Sequence, residues 1–203
     1  HAVIDLHFDV VAEDMKAPEW LSSPPNPPFF RANVAAFERL LAHNRGARIV
    51  WAHLGSDQLG WWTVELSRRL LATHPNLFMS LRLAPGRVPQ NHPLLPDGRL
   101  RSDWHDLFQE FPDRFVIGAD TFTVSPSVRG SGPGISFAQR APMIRQRTRA
   151  FLAALPPDLA RKIGTENARR LFVKNLFHIF RLGKVVSGPD GPELVQPPRL
   201  CFL

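Results

Sequence analysis

Four residues capable of chemistry occupy equivalent places in this 203-residue sequence, each at the end of an apolar segment typical of a β-strand. His7 ends the segment VIDLH, His53 ends RIVWAH, Arg82 ends LFMSLR and Asp120 ends FVIGAD. The carboxyl ends of parallel strands meet at one edge of a sheet, where α/β enzymes keep their active sites. We therefore expect these four side chains to share a site.

The chemistry that such a set can perform depends on metal binding and proton transfer. Two neutral imidazoles and a carboxylate can hold a divalent transition metal. The planar guanidinium of Arg82 suits a substrate carboxylate. Each residue also has a structural interpretation: a histidine can hydrogen-bond locally, Asp120 can cap a turn, and Arg82 can form a surface ion pair. Their arrival at the same end of successive strands favours the site.

The elements that position these residues alternate between strand and helix. Apolar residues at helical spacing predict helices over 33–43, 60–73, 102–111 and 141–155, with a further helix from 157. Connections from helix to strand are short, whereas those from strand to helix are long, proline- or glycine-rich and irregular: 18–28, 84–101 and 121–136. This pattern predicts an α/β fold of the TIM-barrel type, with its site under the long loops.

Composition excludes several classes of function. The hydrophobic content is 44%, the charged content 21%, and no run is long and apolar enough to span a bilayer. One cysteine, Cys201, rules out an internal disulfide framework and a multi-cysteine metal site. The net charge of +7 is scattered over amphipathic helices, so we expect neither nucleic-acid nor membrane binding. The sequence as given shows no targeting segment, so we expect a soluble protein of unassigned location.

Four segments together resemble the metal-dependent amidohydrolase superfamily, in the branch that contains amino-muconate-type decarboxylases and lactone hydrolases. These segments are LHFD at 6–9, IVWAHLG at 49–55, FPDRFVIGAD at 111–120 and ENARRLF at 166–172. The resemblance defines a domain over 1–172 and leaves the tail at 173–203 unassigned.

The resemblance implies a (β/α)8 barrel and a role for each matched residue. His7 matches the fifth-strand histidine, usually a metal ligand, and His53 the sixth-strand histidine, which binds metal or polarises water and substrate. Asp120 matches the eighth-strand aspartate, a metal ligand and proton acceptor. The implied cofactor is a divalent metal ion, with zinc as the first candidate.

One departure from the family pattern concerns the first strand. Family members open with an Asp-x-His-x-His strand, which VIDLHFD only mimics, with Asp9 in the last position. His53 follows His7 after 53 − 7 = 46 residues, a spacing that suits strands five and six. We therefore expect only the C-terminal half of the barrel, strands five to eight, and no working enzyme from these 203 residues alone. Open sheet edges would favour self-association into a homo-oligomer.

The sequence thus predicts a metal-dependent hydrolase in which activated water attacks a small carboxylate-bearing amide, ester or lactone. Two alternatives stay open. One is a metal-dependent decarboxylase of the same fold, and the other is a non-catalytic partial barrel retained for binding or assembly.

Overall fold

A computed structural model describes residues 3–22, 26–54, 59–83, 92–121 and 133–173. Its strands are β1 (Val3–Leu6), β2 (Met15–Lys16), β3 (Phe29–Phe30), β4 (Arg48–Leu54), β5 (Leu77–Leu81) and β6 (Phe115–Ile117). Its helices are α1 (Val34–His43), α2 (Val64–Thr73), α3 (Ser102–Glu110), α4 (Pro133–Ala153) and α5 (Pro157–Arg161). Two π-helical turns, Lys162–Glu166 and Arg169–Val173, continue from α5.

The main sheet has four parallel strands in the order β1-β4-β5-β6. Leu6 lies opposite Trp51, Trp51 opposite Met79, and Met79 opposite Phe115. All four carboxyl ends therefore meet at one edge of the sheet. The predicted parallel α/β architecture is confirmed, and it is consistent with a fold of the TIM-barrel type.

Alternation along β4 explains how the sheet is covered. Ile49 and Trp51 belong to the large core that the sheet forms with helices α1 to α5, whereas Val50 packs with Val116 and Leu171 in a second cluster. The Trp51 ring stacks on Trp62 with centroids 4.1 Å apart and, on its other side, on Phe8 at 4.9 Å. Burial of both sheet faces is typical of parallel strands and fixes the position of the β4 end.

Two sequence expectations about the loops were wrong. Residues 18–28 were expected to be irregular, yet a 3-10 turn covers Glu19–Leu21, and the flanking β2 and β3 pair antiparallel. The loop predicted over 121–136 ends earlier, because α4 begins at Pro133, a residue tolerated in the first turn of a helix. Residues 84–91 of the loop predicted over 84–101, and most of the 173–203 tail, lie outside the described residues.

The opposite, amino-terminal edge of the sheet is held by side chains that reach backbone carbonyls. The buried Asn167 amide donates to the carbonyls of Pro112 and Phe115, at 2.8 Å each. Arg48 donates to the Leu171 carbonyl at 2.8 Å, and Arg114 to that of Leu77 at 2.8 Å. A cavity of about 420 Å³ lies among these side chains. These contacts join the final helical turns to the strand starts, so we assign this edge to stability.

Replacing Asn167 with Asp is expected to destabilise the fold, since the exchange keeps the shape but removes both amide N–H donors. Two buried carbonyls would lose their partner and face a carboxylate. We expect the free energy of unfolding to fall by about 2–4 kcal/mol. Urea unfolding would measure this, with Asn44→Asp as the control, since it makes the same exchange at an exposed asparagine. An unfolding free energy within error of the parent's would contradict the role given to Asn167.

Of the helices that the structure describes, none combines the length and apolarity required to cross a bilayer.

Candidate active site

His53 lies at a β-bulge near the end of β4. Trp51 pairs with Met79 and Leu54 with Leu81, so three steps along β4 match two steps along β5. The extra residue is accommodated with His53 in the left-handed region, at φ 71°. Bulges of this kind re-aim a side chain, and they are frequent beside active sites.

Asp120 follows β6 by three residues and has the same unusual backbone, with φ 47°. Within the described ranges, His53 and Asp120 are the non-glycine residues with positive φ. Such conformations cost about 1–3 kcal/mol each and cluster at functional sites. The backbone therefore singles out two of the residues that the sequence predicts for the site.

The four predicted residues are brought together in a chain of contacts. His7 Nε2 lies 3.1 Å from His53 Nδ1, and the two ring centroids are 4.2 Å apart. His53 Nε2 lies 3.9 Å from Asp120 Oδ1. Asp120 Oδ2 in turn lies 3.1 Å from Arg82 Nε. The order His7–His53–Asp120–Arg82 crosses the carboxyl edge from β1 to β6, and we refer to these four residues as the strand-end cluster.

The cluster holds His53 in its neutral form. Burial, together with the neighbouring His7 and Arg82, lowers the pKa of His53 to about 4, and the Asp120 carboxylate opposes this only in part. The His53 side chain is 19% exposed, which agrees with desolvation as the main cause. At neutral pH the His53 imidazole is therefore unprotonated and able to accept a proton.

The depressed His53 pKa has a consequence for stability in the metal-free protein. The pKa is about 4 in the folded state against 6.5 for an ordinary histidine, so the unfolded chain binds more protons between these values. This contribution to stability is fully present above pH 6.5 and is lost as the pH falls toward 4. Urea unfolding of the parent and of His53→Asn across this window measures it. We expect a steeper pH dependence in the parent, and equal slopes would contradict the pKa.

The spacing of the His7, His53 and Asp120 side chains fits a metal ion only in part. The nitrogens of His7 and His53 are 3.1 Å apart, near the roughly 3.3 Å expected of two imidazoles on one tetrahedral zinc. Asp120, however, faces the other nitrogen of the His53 ring. Within the part of the chain that the structure describes, no three His, Cys, Asp or Glu side chains are grouped to hold a metal. The described residues alone therefore do not complete a metal site.

Arg82 lies at the predicted edge of the sheet, where its side chain forms an ion pair with Asp120. Its side chain is only 12% exposed, and its Nε faces Asp120 rather than open solvent. An ion pair, which is the structural alternative to substrate binding for Arg82, is therefore present, and it is largely buried. A role in anchoring a substrate carboxylate stays a prediction.

Two residues beside the cluster were not predicted as part of the site. The hydroxyl of Ser80 accepts a hydrogen bond from the His53 backbone N–H at 3.3 Å, and Gly118 packs directly against that hydroxyl. The one available sequence signal was Gly118 itself, because a glycine at a strand end often marks a close approach of another group.

Comparison with known proteins identifies the family of this chain. The amidohydrolase family model matches residues 3–173, a span that contains all four strands of the main sheet and the strand-end cluster. The chain belongs to the amidohydrolase family. Neither the curated proteins nor the solved structures gave a significant match to it.

Proposed function

We propose that this chain carries the C-terminal half of a metal-dependent hydrolase site, acting on a small carboxylate-bearing amide, ester or lactone. The observation that carries the proposal is the meeting of His7, His53, Asp120 and Arg82 at the carboxyl edge of four parallel strands. Family membership supports hydrolase-type or related chemistry for residues at this edge.

The four parallel strands correspond, in this proposal, to strands five to eight of a (β/α)8 barrel. They are neighbours in chain order, as consecutive barrel strands are. Among the described residues, no strand pairs with the outer edge of β1 or of β6. A second copy of the chain, forming a homo-oligomer, is one proposed way to cover these edges.

The cofactor proposed for the site is a divalent metal ion, with zinc as the first candidate and His7 and Asp120 as two of its ligands. Such an ion lowers the pKa of bound water toward neutrality. The described residues supply only part of the ligand set that this ion would need.

The chain's own residues supply proton transfer and orientation. His53 Nε2 and Asp120 Oδ1, 3.9 Å apart, are too far apart to hydrogen-bond, and a water about 2.8 Å from each could contact both. Neutral His53 can take a proton from that water as it attacks a carbonyl carbon. His7 orients the imidazole through Nδ1, and Arg82 holds the Asp120 carboxylate in place through their ion pair.

The proposed reaction is tested with a panel of small lactones, esters and amides that carry a carboxylate. Each is incubated with the Zn²⁺-loaded full-length protein and, in a parallel series, with residues 1–203 alone, and acid release and carbon dioxide release are followed separately. From the full-length protein we expect acid release without carbon dioxide for at least one substrate class, and we expect no turnover after chelation or from residues 1–203 alone. Carbon dioxide as the product would overturn hydrolysis in favour of decarboxylation, and no turnover by the full-length protein would favour a non-catalytic role.

A further inference from the structure

We propose that Ser80 and Gly118 are positioning residues that hold His53 in its left-handed conformation and so aim its imidazole between His7 and Asp120. The inference rests on the proposed function only for its effect on turnover. The geometry itself is independent of the reaction.

The backbone amide of His53 donates its hydrogen bond to a side chain of the neighbouring strand β5. Because the bulge breaks the regular register between Trp51 and Leu54, the His53 amide does not meet the β5 backbone in the usual ladder. It donates instead to the Ser80 side chain, at 3.3 Å. Ser80 is 6% exposed, so water has little access to replace this acceptor.

The space around the Ser80 side chain is limited by the close approach of Gly118. Ser80 lies opposite Val116 of β6, and Gly118 follows two residues later, just beyond the end of that strand. A Cβ at Gly118 would stand 2.5 Å from Ser80 Oγ and 2.7 Å from Ser80 Cβ, which is closer than atoms can pack. The absence of a side chain at 118 therefore lets the hydroxyl occupy the place from which it reaches His53.

The hydrogen bond between His53 and Ser80 bears on the geometry of the strand-end cluster. With φ at 71°, His53 needs a local interaction to offset an unfavourable backbone. The Ser80 hydroxyl supplies one at the residue itself, whereas the ring contacts to His7 and Asp120 depend on where that backbone places Cβ. Loss of the hydroxyl would thus change the aim of the imidazole before it changes the fold.

The chain allows a matched set of variants. Ser80→Ala removes the hydroxyl alone. The double variant Ser80→Gly with Gly118→Ala moves the side-chain volume from position 80 to position 118, since the Cα of Ser80 lies an acceptable 3.8 Å from the Cβ added at 118. Ser67→Ala is the control, because Ser67 is another fully buried serine, bonded to Trp62 instead of to the cluster.

The primary readout is NMR on the metal-free protein, followed by turnover. In both Ser80 variants we expect His53 amide exchange to rise about five- to tenfold, the scale of one lost hydrogen bond. We also expect weaker nuclear Overhauser effects between the protons of the His7 and His53 rings. Turnover should be about 10- to 100-fold lower. Thermal midpoints should stay within about 5 °C of the parent. Ser67→Ala should leave the His53 signals unchanged.

Two results would overturn the positioning role. One is a His53 amide and ring signal identical to the parent's in Ser80→Ala. The other is a full return of those signals in the double variant, which would show that packing volume rather than the hydroxyl holds His53. If the full-length parent has no turnover on any substrate, the proposed function fails, while the NMR comparison still decides this inference.

Discussion

Turnover by His53→Asn is expected to fall by about 10²-fold or more, the usual scale for a lost acid–base group. The expectation follows from the neutral imidazole, whose pKa is lowered to about 4 and whose Nε2 faces Asp120. Asparagine keeps a polar group of similar reach and tolerates the left-handed backbone better than most residues, so the β4 end should be retained.

The thermal stability of His53→Asn separates catalysis from folding. At neutral pH we expect a midpoint close to the parent's, because His53 is held in a strained conformation and is not part of the apolar core. The measurement pairs initial rates with thermal unfolding on the same preparation. Normal turnover with a collapsed midpoint would instead identify His53 as a structural histidine.

Asp120→Asn is expected to lower turnover by about 10²- to 10³-fold, because it removes the carboxylate that is proposed to bind the metal ion and to contact the attacking water. The exchange is isosteric, yet it removes the charge that faces Arg82 Nε at 3.1 Å and His53 Nε2 at 3.9 Å. It also leaves the largely buried Arg82 guanidinium without its carboxylate, so some loss of stability is expected as well.

A double variant distinguishes these two effects. Arg82→Gln together with Asp120→Asn removes both charges and restores a neutral pair. We expect it to recover much of the thermal stability lost by Asp120→Asn while turnover stays low. Recovery of turnover in parallel with stability would show that Asp120 acts only as the partner of Arg82.

The sequence predicted the main sheet well because its strands are short apolar runs. The runs that end at His53 and Asp120 form β4 and β6, and the carboxyl edge where the four residues meet was predicted from strand order alone. The pair β2 and β3 was missed because two-residue strands carry no periodicity. The start of α4 was misplaced because Pro133 and Gly134 are typical of loops.

The details of the site depend on contacts that no linear pattern specifies. The bulge before Leu54 arises from register against β5, and the ion pair between Arg82 and Asp120 joins the ends of two different strands. Ser80 contributes through its contact with the His53 backbone, which spacing does not reveal. The motif ENARRLF, in contrast, has a structural role, because its Asn167 donates a hydrogen bond to the Phe115 carbonyl at the start of β6.

Metal-dependent turnover of the purified full-length protein is the measurement that tests the proposed function most directly. The protein is stripped with chelator and restored with Zn²⁺, and bound metal and lactone or ester hydrolysis are measured for the parent, His7→Ala and Asp120→Ala. We predict that Zn²⁺ restores hydrolysis in the parent and that both variants lose bound metal and activity together. Equal metal content in all three proteins, or hydrolysis that survives chelation, would contradict the account.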